Sequence, residues 1–128
     1  MKYYFEKSTT YAFDTAIERV TEALKKEGFG VLASIDMHKT LKEKINVDIK
    51  KYTILEACNP PFAYKSLQVE EMIGIMLPCN VVVREVSGDE TKIALVNPVS
   101  AMQAVNNPAM DEIAKKVHKK LNKVIENL

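Results

Sequence analysis

The stretch Val81-Val82-Val83-Arg84-Glu85-Val86-Ser87-Gly88-Asp89-Glu90, returning as Lys92-Ile93-Ala94-Leu95-Val96, decides the fold. Two apolar runs rich in β-branched residues flank a turn of small and polar ones, which is the pattern of a hairpin. A two-strand hairpin is antiparallel by construction. Earlier strands in the chain are each followed by a helical stretch, which taken alone would suggest a parallel sheet. The late hairpin argues for the other solution. The predicted class is α+β: a mostly antiparallel sheet with helices packed on one face.

Upstream of the hairpin, Ile75-Met76-Leu77 reads as the start of a buried strand that Pro78-Cys79-Asn80 interrupts. Tyr52 to Ala57 reads as a strand that delivers Cys58. Asn59-Pro60 then pairs an N-cap side chain with a proline preset near helical φ. The helix that follows, to about Val69, is expected to bury Phe62, Ala63 and Leu67, with Glu70-Glu71 at its end. Lys2 to Lys7 reads as the first strand, and Ser8, Thr9 and Thr10 offer hydroxyl caps for a helix from Tyr11 to Glu27. Gly28 stands where a left-handed C-cap belongs. Phe29 to Ile35 is the second strand. Asp36 is the expected N-cap of a lysine-rich helix through Ile45 that buries Leu41 and Ile45.

Downstream, Asn97-Pro98 ends the hairpin, Ser100 to Val105 forms a helical turn or two, and Asn107-Pro108 repeats the cap-then-proline signature. The terminal helix places Met110, Ile113, Ala114, Val117, Leu121, Val124, Ile125 and Leu128 on one stripe, with lysines on the solvated face.

With 128 residues the chain fits one domain, 1–128, large enough for a single core. Eighteen basic against seventeen acidic residues give no basic surplus, so neither nucleic acid nor a membrane surface is an expected partner. The segment Met1-Lys2-Tyr3-Tyr4-Phe5-Glu6-Lys7 lacks the apolar run of a secretory leader. The longest apolar stretch, Met72 to Val83, is too short and too broken to span a bilayer. Two cysteines without an export signal imply reduced thiols, and the expected compartment is the cytoplasm.

The residues with chemical potential are the mirrored tripeptides Cys58-Asn59-Pro60 and Pro78-Cys79-Asn80, which hold both cysteines of the chain. A thiol just before a helix N-terminus can be reactive or metal-binding. Cys58 and Cys79 are therefore the candidate metal ligands or nucleophiles, with Asn59, Pro60, Pro78 and Asn80 as candidate ligand-binding neighbours. Two thiolates leave a tetrahedral zinc or iron–sulfur site short of ligands, unless a dimer supplies two more. The competing structural reading makes both cysteines small buried hydrophobes beside turns. His38 and His118 read as exposed and unconnected to either cysteine. The chain carries no phosphate loop, serine elbow, paired zinc motif or nucleotide fingerprint.

On Asp36 through Lys44, Tyr52 through Pro61, Gly74 through Val83 and the strand ending at Asn97-Pro98, the chain resembles the family known as domain of unknown function 302. The resemblance covers nearly the full chain. It implies a compact α+β domain similar to the TATA-binding-protein-like fold, usually standing alone in bacteria and archaea and forming a homodimer. It implies no established activity. The two tripeptides are its hallmark, so Cys58, Asn59, Pro60, Pro78, Cys79 and Asn80 carry over. The family often shows Asp-Pro where this chain has Asn97-Pro98, a departure that weakens an enzymatic reading.

Three functions fit these residues. The first is a cytosolic homodimeric binding protein whose cysteines line a pocket for a small molecule or a metal ion. The second is a structural or interaction module in which the tripeptides serve only as caps and turns. The third is a cysteine-dependent enzyme, which needs a base beside the thiolate that the residues do not place.

Overall fold

The hairpin forms the middle of the sheet. The structure, a computed structural model, describes residues 2–128, so Met1, the first residue of the expected 1–128 domain, lies outside them. Among the described residues the elements run β1 (Tyr4–Thr9), α1 (Phe13–Lys26), β2 (Gly30–Asp36), α2 (Met37–Ile45), β3 (Tyr52–Cys58), α3 (Pro60–Val69), β4 (Cys79–Ser87), β5 (Glu90–Val96), α4 (Pro98–Ala101) and α5 (Pro108–Glu126), with 3-10 turns at Ile73–Met76 and Met102–Val105. The strands form a single sheet in the order β1-β5-β4-β3-β2, and every pairing is antiparallel. The α+β expectation holds. β1 and β2 lie at opposite edges of the sheet, so the helix between them, α1, crosses its whole width.

Strand alternation sends one set of residues to the helix side. Leu55, Ala57, Val81, Val83, Ile93 and Leu95 are fully buried there against Phe13, Ala16, Val20 and Leu24 of α1 and Val117, Leu121 and Val124 of α5. The stripes read from the sequence for α1 and α5 are the faces that pack. Burying each large aliphatic side chain is worth about 1.5–3 kcal/mol, which makes this layer the main stabilising contact of the fold.

Gly28 closes α1 as expected. Its φ is +85°, its N–H donates to the Lys25 carbonyl at 3.0 Å, and the Phe29 N–H reaches back to Leu24 at 2.9 Å. These are the two bonds of a Schellman ending, in which glycine occupies the left-handed position at least cost.

Local reading failed where pairing or packing outweighed it. Thr9 does not cap α1: β1 runs through Thr9, whose hydroxyl donates to the Thr91 carbonyl at 2.8 Å, and the capping position falls to Ala12. Asp36 precedes α2, but its carboxylate accepts from the Thr53 hydroxyl at 2.7 Å instead of capping the helix. Ile45 is exposed because α2 lies along the β2–β3 end of the sheet and not over the core. In α3 Leu67 is 49% exposed and Ser66 is buried instead, since the face turned to α5 is Phe62, Ala63 and Ser66. Ile75-Met76-Leu77 is not a strand: Ile75, 77% exposed, and Met76 end a 3-10 turn, and Leu77 follows it in extended conformation. The strand starts at Cys79, because Pro78 has no N–H to donate to a ladder.

The helix-free face of the sheet shows a further departure. The register aligns Glu6, Ala94, Val82, Ile54 and Ile35 in one row across all the strands. On one side of it lie Lys92, Arg84 and Tyr52; on the other lie Tyr4, Val96, Asn80 and Glu56. A solvated antiparallel face is usually polar, whereas the middle of this one is apolar.

Candidate functional site

Cys58 is the last residue of β3 and Cys79 the first of β4. Because those strands are antiparallel neighbours, the end of one meets the start of the other, and Ala57 lies directly opposite Cys79. Two thiols twenty-one positions apart in sequence thus come to one end of the sheet, with α3 and the 3-10 turn spanning the interval. Both line one mainly apolar cavity of about 40 Å³, together with Phe29, Phe62, Met102 and Met110. That volume holds roughly three water-sized occupants. It lies on the seam between the main core cluster and a second one built on Ile73, Met102, Met110 and Ala114.

Burial pushes the Cys79 thiol up from its ordinary 9.0 to about 11, and the nearby Cys58 adds to the shift. Removing water from around a thiolate disfavours it, so Cys79 is a neutral thiol at physiological pH. It is not a ready nucleophile.

The other members of the tripeptides part company. Asn59, only 8% exposed, also lines the cavity, yet its side chain does not cap α3. Its amide donates to the Glu27 carbonyl at 3.2 Å and lies where a Cβ on Gly28 would press against it, also at 3.2 Å. Asn59 therefore fastens the end of α1 to the end of β3. Pro78 lines the cavity, after a cis Leu77–Pro78 peptide. Pro60 occupies the first turn of α3, exposed. Asn80 points to the opposite, helix-free face. There it borders a hollow of about 420 Å³ lined by Tyr3, Tyr4, Tyr52, Val82 and Arg84.

The histidines are half-buried, not exposed, and each is tied down locally. The Tyr52 N–H donates to His38 Nδ1 at 3.0 Å, and the ring meets Phe13 edge-on. His118 stands edge-on to Phe5 beside Asn122. Neither lines the cavity. Among the described residues no three His, Cys, Asp or Glu side chains come together as metal ligands. Asp36 is held below its usual carboxyl range, first by the Thr53 hydroxyl and then by the Lys39 charge at 3.5 Å, so it latches α2 to β3.

Sequence reading missed Met102 and Met110 as site residues. Met110 was visible as part of the α5 stripe, but nothing local marks Met102, which reaches the cavity only because α4 and α5 fold over the sheet end.

Among the described residues no helix is long and apolar enough to cross a membrane. None of the curated proteins matches the sequence. The crystal structure of an uncharacterized conserved DUF302 protein from Bacillus stearothermophilus is similar at a TM-score of 0.91 and 32% identity, over 99% of this chain and 98% of that one. The family model described as domain of unknown function DUF302 matches residues 5–128. The chain belongs to the DUF302 family.

Proposed function

We propose that the protein is a cytosolic homodimeric binding protein that holds an atom-sized ligand, a metal ion or a small thiol-reactive molecule, in the cavity of Cys58 and Cys79. The observation that carries this reading is the convergence of both cysteines on one small, mainly apolar cavity. The cavity volume favours an ion or a few atoms over a larger organic ligand, because drug-sized sites run to several hundred Å³. The raised Cys79 pKa and the absence of a histidine from the lining argue against a cysteine nucleophile.

The test is native mass spectrometry with elemental analysis on protein purified under argon. A stoichiometric bound species, lost from the Cys58→Ser/Cys79→Ser variant, is expected. No bound species, together with alkylation of the folded thiols as fast as of the urea-unfolded ones, overturns the reading.

The dimer is assigned to the helix-free sheet face, with a second copy as its occupant. The apolar part of the row, Ala94, Val82, Ile54 and Ile35, is flanked by Arg84 on one side, where Lys92 pairs with Glu6 at 3.6 Å, and by Glu56 on the other. A two-fold axis lying in that face, perpendicular to the strands, carries the basic side of one copy onto the acidic side of its mate. Charge complementarity of this kind fixes register and partner choice.

A further inference from the structure

We propose that the cavity is a site for a soft monovalent metal ion of the Cu(I) class, held by the sulfurs of Cys58, Cys79, Met102 and Met110. This rests on the reading that the cysteine cavity binds a ligand, and it names the ligand's chemistry. Both cysteines and two of the six methionines line the same small cavity. They come from four separate places in the chain: the end of β3, the start of β4, the 3-10 turn after α4, and α5.

Thiolate and thioether donors together select Cu(I) over harder ions, which prefer nitrogen and oxygen. Zinc sites draw their four ligands from cysteine, histidine and carboxylate, and no such group forms among the described residues. Binding forms metal–sulfur bonds and releases a thiol proton to solvent from each cysteine that ligates, because the thiolate is the ligand, with no electron transferred.

The experiment titrates reduced protein with Cu(I) under argon in competition with a chromophoric Cu(I) chelator, and records copper X-ray absorption of the loaded protein. Expected are a single ion per chain, an all-sulfur coordination shell that includes thioether distances, and affinity reduced about tenfold or more by Met102→Leu or by Met110→Leu. These swaps conserve volume and leave the fold nearly as stable, which circular dichroism checks. If both leucine variants bind like the wild type, or the shell contains nitrogen, the four-sulfur site is overturned while the cysteine-cavity reading survives. If Cys58→Ser/Cys79→Ser binds Cu(I) undiminished, both fail.

Discussion

At Cys79 the environment sets both chemistry and pH response. Its neighbours are apolar and it has one thiol beside it, so the proton is retained up to about 11 instead of 9.0. In the unfolded chain the thiol ionises near its ordinary value. Between those two pH values the unfolded state therefore holds fewer protons than the folded one, and stability falls as pH rises. The contribution is fully present below pH 9 and is lost by about 11, a difference of about 2–3 kcal/mol. Urea unfolding at the two ends of this window measures it. Cys79→Ala is expected to be less stable below pH 9, because it leaves a larger void, but to lose less stability on going to pH 11. An alkaline slope equal to that of the wild type contradicts the burial of the thiol. Cys58 and Cys79 were legible as the chemical residues because they are the only two thiols of the chain and both sit at proline-marked structural breaks. The burial of Cys79 was one of two readings the sequence left open, and it is decided by α3, α4 and α5 together.

Among elements, the Asn-Pro steps show how identical local signals diverge. Asn97 and Asn107 cap as their sequence suggests: Asn97 Oδ1 accepts from the Val99 N–H at 3.1 Å, and Asn107 Oδ1 from the Ala109 N–H at 3.0 Å. Asn59 has the same neighbour and the same extended backbone, yet its amide turns to Glu27. A cap needs an acceptor, which aspartate supplies as well as asparagine, whereas Asn59 is used as a donor. Asn97→Asp keeps the cap and gives up only an exposed 3.2 Å bond from Nδ2 to the Lys2 carbonyl, so it is expected to cost about 1 kcal/mol or less. Asn59→Asp loses the bond and places a buried carboxylate against a carbonyl, costing about 2–3 kcal/mol. Denaturant midpoints of the two variants at neutral pH check the contrast, and equal effects would show that Asn59 caps after all. The face of α3 and the 3-10 turn at Ile73–Met76 were misread for a related reason. Short apolar runs do not carry enough periodicity to say which side is buried.

For the molecule as a whole, the sheet divides its chemistry between two faces. The sulfur cavity belongs to the helix side, and the apolar row with its charged flanks belongs to the other. Each subunit of the proposed dimer therefore keeps its cavity to itself, and a four-thiolate site across the two-fold axis is not needed. Arg84→Glu and Glu56→Arg should each shift the protein toward monomer in sedimentation equilibrium, and the double charge exchange should restore the dimer. Dimers that persist in both single variants would place the second copy elsewhere.

What the sequence determined by itself was the class of fold, through the turn at Ser87–Glu90, and the packing faces of α1 and α5, through helical periodicity. Those features rest on interactions between residues close in the chain. Tertiary structure alone decided that Cys58 and Cys79 share a cavity, that Met102 and Met110 join them, that Asn59 binds Glu27 and that Asn80 faces away. Each of those outcomes depends on the antiparallel register of β3 with β4, or on helices closing over the sheet end. Contacts between distant segments leave no periodic trace in the residues that make them.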